Sequence, residues 1–239
     1  MGCRLFALAG TLVLLMGVGR ATPAGASGLT IGAGSTVKLG DALLKLGCND
    51  LLIQAAGTLQ AQASTIRIAG NWNNQGTFDA GTGTVVFEDG CVPNRSSITG
   101  SNTFFDLTVL TSSGKTVQFQ ATATQTVLDA LTLQGTAGNL LVIRSSNPGQ
   151  QAFLNLEPGG SQSIFDVDVA DNGATGQVLA ARAHSIDSGN TTRWSFVTSL
   201  APAPALSGIG KLGAIAMLLL IAGVRLALRR GSWRAGARW

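Results

Sequence analysis

His184 is the one histidine in 239 residues, and the chain has no tyrosine. A Ser-His-Asp arrangement could use only this imidazole as its base. Ser185, Asp187 and Ser188 lie beside it, too close along the chain to converge on one ring, and no nucleophile motif accompanies them. The expectation is a turn histidine in a polar loop, in a protein that is not an enzyme. The densest acidic cluster is Asp166, Asp168 and Asp171. Carboxylates grouped in this way can hold Ca2+, and paired acids serve in polysaccharide cleavage. The stretch matches neither an EF-hand nor the Gly-Gly-x-Gly-x-Asp calcium repeat. The three acids are therefore weak metal candidates, better explained as a solvated strand face, and no cofactor is expected. Trp72, Trp194, Phe78, Phe87 and Phe104 could stack on sugar rings, but aromatic side chains are mostly packing groups. Asn94-Arg95-Ser96 and Asn190-Thr191-Thr192 are formal glycosylation sequons.

The elements that would position these residues are β-strands. Between Gly28 and Phe196 the chain is rich in Gly, Thr, Ser, Asn and Gln and has no capped stretch of helical period. Short β-type segments bounded by Gly or Asn stand in its place. They cover 36–39, 51–53, 65–68, 83–87, 103–110, 116–119, 126–133, 140–144, 152–156, 163–169 and 192–197. In 163–169, alternation puts Phe165, Val167 and Val169 on one face and Asp166 and Asp168 on the other. A Gly-Thr-apolar triplet recurs at Gly57-Thr58-Leu59, Gly76-Thr77-Phe78 and Gly83-Thr84-Val85. Recurrence without a strict period fits a stack of coils, each burying its apolar face against the next. The expected fold is all-β, a parallel β-helix or solenoid; the alternative is an antiparallel β-sandwich.

Both ends of the chain have the order of addressing segments. Residues 1–26 carry Arg4, an apolar run and the small-x-small pattern Ala24-Gly25-Ala26, as a secretory signal peptide does. Residues 27–200 form the β-rich domain. Residues 201–208 are a Pro/Ala/Ser linker. A transmembrane helix is expected over 209–230, followed by a cytoplasmic tail over 231–239. Ile209 to Leu228 supplies the roughly 20 residues that a bilayer core requires. Arg225, Arg229 and Arg230 follow the apolar run, which places the C-terminus in the cytoplasm and the domain outside.

Charge agrees with this division. The chain holds 16 basic and 12 acidic residues, a net of +4. Eight of the basic residues lie at the two ends, whereas all 12 acids lie in the middle, leaving the domain near −4. The basic pI of 9.4 thus reflects the end segments, and no nucleic-acid partner is expected. Cys48 and Cys91 remain after signal removal, and an even count in an exported chain implies a disulfide. With coils of about 21 residues the two would stand two coils apart, too far for a bond between coil walls. Either one coil is swollen, around 71–83, or the bond joins loops.

At Gly70 the chain reads GNWNNQGTFDAGTGTVVFEDGC, and ITGSNTFFDLTVL follows at Ile98. Later it reads GNLLVIRSSNPGQQAFLNL, DVDVADN and SIDSGNTTRWSF. These segments resemble repeats of large filamentous, adhesin-like bacterial surface proteins, and that likeness implies a β-solenoid. The C-terminal stretch resembles a bacterial sorting domain of the IPTL-CTERM type, within the wider PEP-CTERM class. Pro204, Leu206 and Ser207 match its opening motif, while Ala203 and Ala205 depart from it. The resemblance implies a membrane-embedded sorting protease as partner and removal of the tail. The expected product is a structural or adhesin-like protein at the cell surface or in the extracellular matrix. Its partners would be the membrane and an extracellular polysaccharide. The alternatives are a polysaccharide-binding or polysaccharide-cleaving module, and a permanently anchored single-pass membrane protein.

Overall fold

The computed structural model describes residues 28–197. There is no helix among them, and every strand pairing is parallel. The signal site at Ala24 and Ala26, the motif Pro204, Leu206 and Ser207, the span 209–230 and its arginines lie outside the described residues.

The chain winds through three faces in turn. The first pass is β1 (Leu29–Ile31), β2 (Thr36–Lys38) and β3 (Leu43–Gly47). The second is β4 (Leu51–Ile53), β5 (Thr58–Gln60) and β6 (Thr65–Ile68), and the third is β7 (Trp72–Asn74), β8 (Thr77–Asp79) and β9 (Thr84–Phe87). In the next two passes the second and third faces run together as one strand. There β10 (Arg95–Thr99) leads into β11 (Asn102–Leu110), and β12 (Thr116–Phe119) leads into β13 (Thr124–Gln134). The sixth pass is β14 (Leu141–Ser145), β15 (Ala152–Leu156) and β16 (Ser161–Phe165). The seventh is β17 (Val167–Val169), β18 (Asn172–Ala174) and β19 (Leu179–Ala181). The last is β20 (Ile186–Asp187), β21 (Thr191–Thr192) and β22 (Trp194–Phe196). The first-face sheet takes eight strands in sequence order, so about seven turns separate β1 from β20. This is a parallel β-solenoid. The sandwich alternative fails because its strands would have to pair antiparallel.

Stacking in register builds the core. On the first face Leu29, Leu51, Trp72, Ile98 and Phe119 stand one above another. On the third face Ile68, Phe87, Val109, Leu133 and Ile164 do the same, all buried. Each buried aliphatic or aromatic side chain contributes roughly 1.5–3 kcal/mol relative to exposure. The step between partners varies from 15 residues, Leu179 to Trp194, to 31, Ala130 to Ser161. Varying corners absorb the difference, which is why the sequence shows no fixed period.

Two triplets of the Gly-Thr-apolar repeat are stacked neighbours on the second face. Thr58 pairs with Thr77, and Leu59 with Phe78. Their glycines sit at the corner before the strand, where a Cβ on Gly76 would meet Gln54 O and Gly57 O at 2.4 Å. The third triplet belongs to β9, on a different face.

Two expected strands are each split by a corner. Residues 163–169 divide at Asp166, whose φ is 52°, and residues 192–197 divide at Arg193, whose φ is 57°. An L-residue with side chain rarely takes this left-handed conformation, so neither break carried a glycine signal. The division also corrects the shared faces. Val167 and Val169 point inward, but Phe165 belongs to β16 on the third face, and Asp166 is a corner residue rather than a strand partner of Asp168.

Candidate functional site

The corner between the third and first faces gathers the most unusual polar chemistry of the described residues. Cys48 follows β3 and Cys91 follows β9, and they form a disulfide with Cα atoms 5.3 Å apart. Because β6 lies between β3 and β9, the bond reaches past a whole coil. It joins loops, as one of the two expected solutions required. The swelling is in residues 88–94, between β9 and β10, and not in 71–83. Passage is possible because the intervening corner, Ala69-Gly70, is small. A Cβ on Gly90 would lie 3.9 Å from the Ala69 Cβ, and one on Gly70 would strike Asn49 O at 2.6 Å.

Asp89 orders this loop. Its Oδ1 accepts from Asn94 Nδ2 at 2.8 Å, and its Oδ2 accepts from the backbone N–H of Ser112 at 2.8 Å and of Ser113 at 3.2 Å. Burial pushes its carboxyl up, but hydrogen bonds from Asn94, Thr111, Ser112 and Ser113 outweigh that and hold it well below the ordinary range. Arg67 closes the outer side with an ion pair to Glu88.

Beneath the loop lies Lys115, fully buried. Its Nζ donates to Ala69 O at 3.1 Å and stands 3.4 Å from Asn94 Oδ1. Ser96 Oγ also donates to Ala69 O, at 2.9 Å. Burial lowers the Lys115 pKa, opposed by the charges of Asp89 and Glu88. No carboxylate pairs with it among the described residues. A desolvated amine favours its neutral, nucleophilic form. Lys115, Asp89 and Asn94 were not singled out together from sequence. The available signal was parity: Lys115 shares the alternation of Val117 and Phe119, both buried, which places it on the core side of β12.

The sequence-derived candidates are dispersed. Asp166 Oδ1 meets His184 Nδ1 at 2.7 Å on the surface. Asp168 accepts from Arg144 Nη2 at 2.8 Å and Ser188 Oγ at 2.6 Å. Burial raises the Asp168 pKa, but these partners and the guanidinium charge bring it below the ordinary value. Asp171 accepts from Asn190 Nδ2 at 2.7 Å. The three acids thus hold separate partners, and no group of three potential metal ligands occurs among the described residues. Ser188 binds Asp168 and Ser185 Oγ donates to Arg182 O, so neither is aimed at the imidazole.

The aromatic residues are interior. Trp72, Phe87 and Phe104 are fully buried; Trp72 packs edge-on to Phe78 at 4.8 Å. Its indole N–H donates to Asn102 Oδ1 at 3.0 Å, and Asn102 in turn donates to Gln125 Oε1 at 2.7 Å. Trp194 is half-buried against Phe196 and donates to Asn172 Oδ1 at 3.2 Å. The first face also carries a shallow depression of about 340 Å3, lined by Thr30, Leu52, Asn73 and Thr99 among others. None of the three acids lines it. No protein-family model, curated protein or solved structure matches this chain.

Proposed function

We propose that the chain is a structural or adhesin-like protein exported across the cytoplasmic membrane. Its β-solenoid would work at the cell surface or in the extracellular matrix, without catalysis. The observation that carries this reading is the Cys48–Cys91 disulfide. Such bonds persist in oxidising compartments, outside the cytoplasm. The signal-like residues 1–26, the net acidity of the middle and the arginines after the apolar run support the same address. The match of Pro204, Leu206 and Ser207 to the sorting motif adds a membrane-embedded protease that removes the tail. A polysaccharide-cleaving role gains nothing from Asp166 and Asp168, which hold separate partners.

A strain carrying one tag inside an exposed loop and another at the C-terminus tests this. The expected result is an extracytoplasmic protein that keeps the loop tag and has lost the C-terminal one. A full-length protein retaining both tags in the membrane would leave an anchored protein and remove the sorting step. A reduced protein in the cytoplasm would overturn the whole reading.

A further inference from the structure

We propose that Lys115 and Asn94 are joined by an amide cross-link between their side chains, formed by the protein on itself with Asp89 as proton carrier.

The starting observation is a lysine that is fully buried and forms no ion pair among the described residues. Lysines are almost never buried in this way without a paired charge, and an aliphatic residue would fill the space without the cost of desolvation. What Lys115 has instead is the Ala69 carbonyl, at 3.1 Å, and a carboxamide. Its Nζ lies 3.4 Å from Asn94 Oδ1, the oxygen bonded to the Cγ that the amine would attack. Asp89 determines which way that amide faces, because its Oδ1 accepts from Asn94 Nδ2 at 2.8 Å and leaves Oδ1 of the asparagine toward the amine. Ser113 Oγ accepts from the same Nδ2 at 3.0 Å. Two backbone N–H groups hold the other Asp89 oxygen, so the carboxylate is fixed in place beside the amide.

The reaction balances with no added reagent. The neutral Nζ attacks Cγ of Asn94, forming a C–N bond and moving the carbonyl electron pair onto Oδ1. The new ammonium gives a proton to Asp89. Once Cγ is tetrahedral Nδ2 regains a lone pair and turns from donor to acceptor, and Asp89 delivers the proton to it across the same 2.8 Å contact. The carbonyl re-forms, the Cγ–Nδ2 bond breaks, and ammonia leaves. Nothing is oxidised or reduced. Asp89 touches the leaving nitrogen and is therefore a catalytic residue in this step.

The cross-link would extend the strap begun by the disulfide. Cys91 binds the 88–94 loop back to the first pass, and Asn94, three residues on, would bind it forward to the corner that opens β12. One corner of the solenoid would then be covalently tied from the first pass to the fifth. The bond does not depend on where the protein resides, so its test is separate from that of export.

Purified full-length chain, folded as judged by β-type circular dichroism, is reduced, unfolded and weighed. The expected mass is lighter than that of the sequence by one ammonia. A succinimide at any asparagine would give the same mass, so the digest decides. Trypsin should fail to cut after Lys115 and should release one branched peptide containing both Asn94 and Lys115. Asp89→Asn, which keeps both partners, should give the full mass and normal cleavage. If a folded wild-type chain is cut after Lys115 and yields no branched peptide, the proposal is overturned. That measurement stands even if Asp89→Asn fails to fold.

Discussion

At Gly76 the absent side chain is the feature that matters. A Cβ there would sit 2.4 Å from two carbonyl oxygens, Gln54 O and Gly57 O, and neither is the end of a flexible group. Gly76→Ala should therefore cost about 3 kcal/mol through displacement of the corner, read as a lower urea midpoint at unchanged slope. An unchanged midpoint would mean that the second-face corners are loose. Asp89 makes a second residue-scale prediction. Its carboxyl titrates lower in the fold than its ordinary value of 3.8. The stability it adds is complete above that value and is lost as pH falls below it toward the depressed folded value. Urea midpoints followed from neutral pH downward should drop in that window, and Asp89→Asn should flatten part of the drop. Asp168 is shifted the same way and accounts for another part.

At the scale of the elements, the strands are too short to hold themselves. Many have three residues, and each relies on the coil above and below for hydrogen bonds and for burial. The disulfide acts on this weakness at one end of the stack. Its 43-residue separation corresponds to about 4 kcal/mol of stabilisation in the chain-entropy account. A Cys48→Ala, Cys91→Ala double variant should lose stability of that order and expose the first three passes to proteolysis before the rest. Equal proteolysis throughout would show that the bond is not what secures that end. The interior amides are a further element-scale device. Asn102 and Gln125 occupy inward positions in a column that continues as Leu154 and Ala174. Their hydrogen bonds to Trp72, Gly100 and each other satisfy groups that would otherwise be stranded in the core.

For the described residues as a whole, burial is uneven along the axis. The strands of the middle passes alternate buried and half-buried residues, as in β12, β14 and β15. In the last pass both residues of β20 are exposed, and β21 and β22 contain no buried residue. Local opening should therefore begin there. Hydrogen exchange should find amides of 186–196 exchanging faster than those of 116–156. Uniform protection would mean that the end coil is held by something beyond its own packing.

Alternation and turn chemistry in the sequence were enough to indicate an all-β chain, stacked coils and the apolar faces. The segments Leu51–Ile53, Thr65–Ile68, Thr116–Phe119 and Ala152–Leu156 were read with their observed bounds, because a period of two reports directly which side chains face inward. The Cys48–Cys91 pairing was also legible, since only two cysteines remained to choose from. Corners were legible only where glycine marked them. Ala56, Gln62, Thr122, Asp166 and Arg193 turn the chain with positive φ while carrying side chains, and such turns are imposed by the coils on either side. Strands as short as β20 and β21 have too few residues for a period to register. The meeting of Asp89, Asn94 and Lys115 is a further step removed. It depends on the 88–94 loop folding over Ala69 and on the register of β12, and no local pattern encodes either. Alternation with Val117 and Phe119 is the one sequence signal that puts Lys115 on the inside, and only the stacking of successive coils decided what it would meet there.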